Sequence, residues 1–446
     1  MKTPTPLTLS LALLLIGPGL MRAEEGQAIG APPIYPGFPT AEHLGVVPPL
    51  TKSSEDWLSK VTPESETKLE EGLDEALKEY FLFGTIWHGK NLGDGRTNTH
   101  RAQEMALSGS EFNAITAENC MKPSALQPHQ GVFNFAPADE FVQTSSQMGH
   151  TIIGHTLVWK NDAPAWFFQN DDGTPAPREI VIERMVQHIA TVVGRYRGKI
   201  KFWDVVNEAV DLLPNAQGKL EACLKPSPWL EAIGPEYIEL AYRAAHEADP
   251  EAKLLYNDYN LYEEKKADFV IAMVKDLRNR GVPVHGIGYQ GHMFLDFPKI
   301  EQVEYLLKSC RSENIPLSVT ELDLSVLPNA WKHRGASVED SFTLAEKFNP
   351  YPEAVPEAVL MEQAQRYREM FELFIKYHTT IERVSFWGVW DGNSWRNYKP
   401  MEGRRDYPLL FDRQFKKKPA YEEISKLLSL PPEKKNKREP SLTSRG

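Results

Sequence analysis

The feature of this sequence that most constrains its fold is a unit that recurs along most of the chain, a short apolar run followed by a helical pattern. Eight runs rich in apolar and β-branched residues predict strands, at residues 81–86, 112–116, 151–158, 200–206, 253–257, 284–289, 316–320 and 384–387. Amphipathic stretches with apolar residues at three- and four-residue spacing follow most of them, as at residues 178–196, 236–248, 265–280, 300–314 and 362–377. Each strand is therefore expected to lead into a helix that packs against it.

This alternation over roughly 370 residues predicts an α/β fold, a single (β/α)8 TIM barrel. Open doubly wound sheets share the same alternation. The first run, however, contains Gly84-Thr85-Ile86-Trp87, which lacks the phosphate-binding glycines of a dinucleotide fingerprint. We therefore expect the closed barrel.

The two ends of the chain differ in composition from the barrel region. Lys2 precedes an apolar run at residues 7–16 that is too short to span a bilayer, and small residues follow around Ala23. We predict a signal peptide at 1–23, a Pro/Gly-rich linker or arm at 24–60, the barrel domain at 61–430 and a basic flexible tail at 431–446. The mature protein is expected to be secreted, extracellular or periplasmic, with an uncleaved N-terminal anchor as the alternative.

Charge and cysteine content exclude several kinds of partner and site. A formal net charge of -11 would repel a phosphate backbone, so we expect no nucleic-acid binding. Cys120, Cys223 and Cys310 are too few for a disulfide scaffold and lack metal-ligand spacing, although they allow one bridge and one free thiol. Residues 94–99 lack the spacing of a calcium loop, and we predict neither a metal nor a cofactor.

Polar and aromatic side chains follow all eight predicted strands. Because the carboxyl ends of barrel strands form the active-site face, these side chains are expected to converge there. In strand order they are Trp87, His88, Lys90 and Asn91; Glu118, Asn119 and Lys122; His155 and Trp159; Asn207 and Glu208; Asn257 and Asp258; Gln290 and His292; Glu321 and Asp323; and Trp387 and Trp395. Any one of them has an ordinary structural explanation as a capped strand end or a satisfied buried group. Their agreement at every strand end favours one functional site.

The residue types at these strand ends allow a narrow range of chemistry. The sequence has no Gly-x-Ser-x-Gly elbow, no His-Glu-x-x-His motif and no Cys–His pairing at a site. Two carboxylates remain, Glu208 on the fourth strand and Glu321 on the seventh, nearly opposite one another in an eight-strand ring. Such a pair is what glycoside hydrolysis requires. Several of the 10 Trp lie beside polar residues, which suits pyranose rings whose C–H faces stack on indole.

Seven segments in order make the chain resemble glycoside hydrolase family 10, the endo-β-1,4-xylanases. They are NAITAENCMK at 113–122, GHTLVW at 154–159, WDVVNE at 203–208, YNDYN at 256–260, GIGYQGH at 286–292, TELD at 320–323 and WGVWDGNSW at 387–395. Together they cover about residues 75–430. The resemblance implies a retaining enzyme that hydrolyses internal bonds of xylan by double displacement through a covalent glycosyl-enzyme.

The resemblance also implies roles for individual residues. Glu208 matches the general acid/base and Glu321 the nucleophile, and retention requires their carboxyl groups to be about 5 to 5.5 Å apart. The supporting residues it implies are Asn207, which bonds the sugar 2-hydroxyl and the nucleophile, His292 beside the nucleophile and Asp323, which orients the imidazole. The substrate-binding residues it implies are Glu118, Asn119, Lys122, Lys90, His155, Trp159, Gln290, Trp387 and Trp395. We expect xylan or xylo-oligosaccharides as partners, no membrane span after signal cleavage, and a monomer.

The sequence departs from the family pattern beside the catalytic subsite. Lys160 and Asp162 stand where the family usually has His and Gln, and Pro123 stands where it usually has Trp. A lysine there could contact the nucleophile region or a substrate carboxyl group, but we favour a replaced structural hydrogen bond. The long segment 324–356 is expected either to shape the leaving-group side, with Trp331 or Tyr351 as a stacking platform, or to cover the barrel edge without touching sugar.

Three alternatives remain open on the sequence alone. The first is a retaining β-1,4-glucanase of the same clan, because selectivity depends on whether the subsites admit a C6 hydroxymethyl group. The second is a non-catalytic carbohydrate-binding or inhibitor protein on a barrel scaffold. Retention of both Glu208 and Glu321 argues against it. The third, a structural or partner-binding protein, leaves the polar strand ends without a reason.

Overall fold

A computed structural model describes residues 72–89, 98–331 and 345–429. The predicted signal peptide at 1–23, the arm at 24–60 and the tail at 431–446 lie outside these ranges, as does Lys90. Export and the monomeric state stay predictions. None of the helices in the described ranges is both long and apolar enough to cross a membrane.

The strands form a closed parallel barrel with two short additions. In chain order the strands are β1 Leu82–Trp87, β2 Ala114–Ala117, β3 Thr151–Trp159, β4 Ile200–Asn207, β5 Val210–Pro214, β6 Leu220–Leu224, β7 Lys253–Asp258, β8 Gly286–Tyr289, β9 His292–Phe294, β10 Leu317–Ser325 and β11 Ile381–Phe386. The ring runs β1-β2-β3-β4-β7-β8-β10-β11, and parallel pairing of β11 with β1 closes it. This confirms the predicted (β/α)8 barrel.

The eight predicted strands all overlap barrel strands, but two boundaries move by three residues or more. Strand β10 continues to Ser325, past the predicted end at residue 320, and β11 begins at Ile381 instead of residue 384. Every residue of β10 is buried, so polar side chains such as Glu321 and Asp323 belong to the strand itself. The apolar pattern ended the predicted strand too early because these carboxylates interrupt it.

Helices cover the outside of the barrel. In the described ranges they are α1 Leu73–Leu77, α2 Asn98–Glu111, α3 Pro123–Leu126, α4 Ala136–Gln147, α5 Arg178–Arg195, α6 Pro228–Ile233, α7 Tyr237–Ala248, α8 Glu264–Asn279, α9 Ile300–Ser312, α10 Ala345–Phe348, α11 Glu357–Lys376 and α12 Pro419–Ser429. Short 3-10 turns lie at Ala165–Phe167, Asp391–Asn393 and Trp395–Asn397. Most of the long helices turn an apolar stripe inward, as α5 does with Val181, Met185, Ile189 and Val192, whereas the buried positions of α2 include Glu104, Ser108 and Glu111.

The sequence patterns did not predict the antiparallel hairpin formed by β5 and β6, which is inserted directly after Glu208. Asn215 closes its turn, because its backbone N–H donates to Lys219 and its side chain accepts from the N–H groups of Gln217 and Lys219. Strand β5 therefore leaves the barrel at the point where a candidate catalytic residue stands.

The barrel interior is apolar at one end and polar at the other. Ala114, Ile153, Phe202 and Leu255, near the starts of their strands, form one buried cluster. On the outer face of the same strands the packing is also close, because a Cβ atom at Gly154 would lie 2.2 Å from the ring of Trp203. The carboxyl ends of the strands carry the polar side chains, so the functional face lies opposite the apolar floor.

Candidate active site

Glu321 is a buried carboxylate on β10 with a hydrogen bond to each oxygen. Asn257 Nδ2 donates to Glu321 Oε1 at 2.9 Å, and His292 Nε2 lies 3.2 Å from Glu321 Oε2. Asn257 also donates to Asn207 Oδ1 at 2.9 Å and accepts from Thr320 Oγ1 at 2.7 Å. The predicted neighbour Asn207 therefore reaches Glu321 through Asn257. Asn257 was predicted to lie at a strand end, but no role was assigned to it.

A chain of alternating charges extends behind Glu321. His292 Nδ1 lies 3.1 Å from Asp323 Oδ1, as the predicted pairing of His292 with Asp323 requires. Arg396 Nε donates to Asp323 Oδ1 and Trp395 Nε1 donates to Asp323 Oδ2, each at 2.7 Å. Arg396 is fully buried, and the sequence reasoning missed it. Its position directly after Trp395 was the only available signal.

These contacts set the protonation states of the chain. Burial alone would lower the pKa of His292, but the carboxylates of Asp323 and Glu321 outweigh burial and raise that pKa to about 9. Burial alone would raise the pKa of Glu321, but His292, His155 and the Asn257 amide hold it below its usual range. The pKa of Asp323 is also lowered, because Arg396 and His292 outweigh its burial. The chain is thus cation, anion, cation, anion, ending at an ionised Glu321.

Replacing His292 with glutamine should move the acidic limb of activity to higher pH. Glu321 acts in its ionised form, so activity is present above its pKa and is lost as the pH falls through it. His292→Gln keeps a hydrogen-bond donor but removes the positive charge, and burial then raises the pKa of Glu321. The measurement is the pH profile of kcat/KM, with His378→Gln on the exposed surface as the control. An acidic limb that stays in place would contradict the electrostatic coupling.

Glu208 follows β4 and holds two hydrogen bonds of its own. Trp159 Nε1 donates to Glu208 Oε2 at 3.1 Å, and Gln290 Nε2 donates to Glu208 Oε1 at 3.0 Å. The backbone carbonyl oxygen of Gln290 also accepts a hydrogen bond from the backbone N–H of Glu321 at 2.8 Å. One residue therefore contacts both carboxylate-bearing residues, which brings Glu208 and Glu321 into one site.

Aromatic side chains surround the two carboxylates. The His155 ring lies edge-on to Trp387 at 5.3 Å and tilted to Trp159 at 6.5 Å, and its Nδ1 is 2.9 Å from Asp204 Oδ2. Trp395 lies 4.8 Å from the His292 ring. The predicted residues His155, Trp159, Trp387 and Trp395 are thus brought together.

The edge of this group of aromatic side chains carries three of the predicted substrate-binding residues, Glu118, Asn119 and Lys122. Lys122 Nζ donates to Asn119 Oδ1 at 2.7 Å and lies 5.2 Å above the ring of Trp159. Glu118 lies near His88, with its Oε2 3.7 Å from His88 Nε2. All three are at least partly exposed, so they can be reached from the cleft.

The unusual residues near the site have local structural partners. Lys160 Nζ donates to the carbonyl of Pro226 at 2.9 Å. Asp162 accepts from the backbone N–H and the hydroxyl of Ser124, each at 2.7 Å, and so caps the start of α3. These contacts favour the reading of Lys160 and Asp162 as replaced structural hydrogen bonds.

The segment after β10 contains the two aromatic residues predicted as stacking platforms for sugar, and their surroundings differ. Trp331 is 37% exposed, with its ring 5.9 Å from Trp395, so it extends the aromatic wall. Tyr351 instead packs against the buried cluster of Val326, Leu327 and Tyr407. Residues 332–344 of this segment lie outside the described ranges. The three cysteines are free, so the disulfide allowed by their number is not formed.

Comparison with known proteins agrees with this geometry. The family profile described as Glycosyl hydrolase family 10 matches residues 72–427. Endo-1,4-beta-xylanase A of Xylanibacter ruminicola is 37% identical over 355 residues, covering 80% of this chain and 93% of that protein. The endo-1,4-beta-xylanase of Geobacillus stearothermophilus is 39% identical over 323 residues, covering 72% and 91% respectively.

Solved structures point the same way. An endoxylanase of this family from a sugarcane soil metagenome superposes with a TM-score of 0.73 at 36% identity, covering 80% of this chain and all of that one. A xylanase of Paenibacillus barcinonensis complexed with a conduramine derivative has a TM-score of 0.69 at 34% identity, covering 80% and 99%. The fold, the paired carboxylates and these similarities lead to one conclusion, that the chain belongs to glycosyl hydrolase family 10.

Proposed function

We propose that the protein is a retaining endo-β-1,4-xylanase that cleaves internal bonds of xylan with Glu321 as the nucleophile and Glu208 as the acid/base. The observation that carries this proposal is the pair of carboxylates on the fourth and seventh strands of the ring, Glu208 just after β4 and Glu321 within β10, both contacted by Gln290. Membership of glycosyl hydrolase family 10 supports both the reaction and the substrate, since the similar proteins are named as xylanases.

In the first step Glu321 attacks the anomeric carbon while Glu208 gives its proton to the leaving glycosidic oxygen. A bond forms between a Glu321 oxygen and the anomeric carbon, and the glycosidic bond breaks. The lowered pKa of Glu321 supports its role, because a nucleophilic carboxylate must be ionised. The hydrogen bonds from Asn257 and His292 fix its two oxygens and so favour one direction of attack.

In the second step water hydrolyses the glycosyl-enzyme. Glu208 has lost its proton and now takes one from the attacking water, which forms a bond to the anomeric carbon as the bond to Glu321 breaks. Two inversions give overall retention of configuration. Asn207 is placed to bind the sugar 2-hydroxyl, because Asn257 holds its Oδ1 and leaves its Nδ2 available for another partner.

The substrate is held by rings and polar groups. Trp387 and Trp395 carry indole rings, the type of ring that stacks on the C–H faces of a pyranose, and the His155 ring contacts both Trp159 and Trp387. Xylan carries hydroxyl groups and no phosphate, so a chain with a net charge of -11 does not repel its backbone. Lys122 and Asn119 extend the polar surface beyond the reacting sugar.

Digestion of arabinoxylan should give xylo-oligosaccharides of several lengths from the earliest time points, and carboxymethylcellulose should be cleaved much more slowly. The two measurements are product sizing and proton NMR of the first reducing ends, which should be the β-anomer. The double variant Glu208→Ala and Glu321→Ala, purified in parallel, controls for contaminating hydrolases. Faster cleavage of carboxymethylcellulose would favour the β-1,4-glucanase instead, and an initial α-anomer would exclude retention.

A further inference from the structure

The backbone at Glu208 adopts an unusual conformation. Its φ angle is 57°, in the left-handed region that residues other than glycine rarely enter. Such a conformation persists only when the surrounding structure holds it, and it turns the chain sharply between β4 and β5. The direction of the Glu208 side chain therefore depends on whatever holds this turn.

Three successive backbone N–H groups of the turn bind the neighbouring strand β7. Glu208 N–H donates to the carbonyl of Asn257 at 2.9 Å. Ala209 and Val210 N–H both donate to the phenol oxygen of Tyr256, at 3.1 and 3.0 Å. The Tyr256 hydroxyl thus accepts both N–H groups that follow Glu208, and the Val210 N–H also lies 3.4 Å from Asp258 Oδ2.

Tyr256 is itself held in place by a buried ion pair. Its hydroxyl donates to Asp258 Oδ2, and Lys266 Nζ, on α8, lies 2.8 Å from Asp258 Oδ1. All three side chains are buried. Burial, together with the negative charge of Asp258, raises the pKa of Tyr256, so the phenol keeps its proton and its oxygen lone pairs stay available as acceptors.

This cluster lies behind the barrel wall and not in the cleft. Side chains alternate along a strand, and Asn257 points to the site where it binds Glu321. Tyr256 and Asp258 therefore point to the other side, where Lys266 meets them from the helix layer. Within the described ranges Tyr256 has no hydrogen bond to the Glu208 side chain, and its direct contacts with the turn are the backbone N–H groups that it accepts.

We propose that Tyr256, fixed by Asp258 and Lys266, is a positioning residue that holds the left-handed turn so that the Glu208 carboxyl group faces the reacting oxygen. This inference rests on the proposed acid/base role of Glu208. It predicts that changing Tyr256 slows the steps that need proton transfer from or to Glu208. Formation of the glycosyl-enzyme from a substrate whose leaving group needs no acid should keep its rate.

Tyr256→Phe removes the acceptor and keeps the ring. On phenyl β-xylobioside, a poor leaving group, kcat/KM should fall about 10-fold or more, because a displaced acid transfers its proton inefficiently. On 2,4-dinitrophenyl β-xylobioside, whose leaving group needs no proton, kcat/KM should stay within about 3-fold of the wild type. An equal fall on both substrates, or no fall on either, would overturn the positioning role.

Two further variants keep the test decisive. Tyr242→Phe is the matched control, since Tyr242 is buried and its hydroxyl has no hydrogen-bond partner among the described residues. It should leave both rates unchanged. Thermal unfolding is measured for each variant, and if Tyr256→Phe does not fold at the assay temperature, Asp258→Asn carries the same comparison of the two substrates.

Glu208→Ala, assayed in parallel, separates the inference from the proposed function. If Glu208→Ala loses kcat/KM equally on both substrates, the acid/base assignment fails. If Glu208→Ala shows the dependence on the leaving group but Tyr256→Phe and Asp258→Asn do not, only the positioning role fails.

Discussion

Replacing Glu321 with alanine is expected to lower kcat on xylan by about 10⁵-fold, because no covalent intermediate can then form. The loss should be nearly as large on 2,4-dinitrophenyl β-xylobioside, since an activated leaving group does not replace a missing nucleophile. Steady-state rates on both substrates are the measurement. Glu321→Ala removes a buried anion beside His292, so the fold of the variant should be checked by circular dichroism.

The control for this variant is Glu357→Ala, which removes an exposed carboxylate from the first turn of α11 and should leave the rates unchanged. Wild-type turnover of the activated substrate by Glu321→Ala would show that the nucleophile is another residue. A direct check on the wild type is mass spectrometry after reaction with a 2-deoxy-2-fluoro xylobioside carrying a good leaving group. The peptide containing Glu321 should gain the mass of the sugar.

Replacing Glu208 with alanine should lower kcat/KM on xylan by about 10²- to 10⁴-fold, the range that general acid catalysis contributes. Formation of the glycosyl-enzyme from the dinitrophenyl substrate should survive, and the intermediate should then accumulate because no base activates water. Azide needs no base and enters the space left by the side chain. Added azide should therefore restore turnover and give a β-xylobiosyl azide.

The stereochemistry of that azide is the decisive observation. A β-product means that azide attacked the covalent intermediate from the face on which water normally attacks. An α-product would mean direct displacement from the substrate and would contradict double displacement. Azide should not accelerate Glu357→Ala, which keeps Glu208, and this provides the matched control.

The alternation of apolar runs and amphipathic stretches was sufficient to predict an α/β fold of eight strand-helix units. The choice of a closed barrel over an open doubly wound sheet depended on the missing dinucleotide fingerprint after the first strand, and the pairing of β11 with β1 confirms it. The β5–β6 hairpin escaped prediction because Leu212, Leu213 and Pro214 form no alternating pattern. Its position follows from the backbone turn at Glu208, which no residue type signals.

The candidate site was predicted where the strand ends carry carboxylates, but its supporting contacts were not. Asn257 meets Glu321 across 64 positions of sequence, and Arg396 meets Asp323 across 73. A single sequence indicates which side chains lie at strand ends, but it does not show which hydrogen-bond partner each of them has in the folded protein. The assignments made for the two flanking parts of the sequence, residues 1–60 and 431–446, stay predictions.

The tryptophans illustrate the same limit. Trp87 and Trp390 lie next to sugar-binding positions in the sequence, yet both rings pack against phenylalanine rings of the protein. Trp87 packs at 5.8 Å against Phe141, and Trp390 stacks at 4.3 Å on Phe415. Composition counts rings without separating those that support the barrel from those that face the cleft.

The alternating charges from Arg396 to Glu321 also bear on the lifetime of the covalent intermediate. The ester that Glu321 forms with the sugar is the ester of a carboxylic acid whose pKa is held below its usual range. Esters of stronger acids break more easily, because the departing carboxylate is more stable. His292 therefore helps Glu321 twice, first by keeping it ionised for attack and then by stabilising it as it departs. With Glu321 as the nucleophile, the arrangement favours breakdown of the glycosyl-enzyme in the second step.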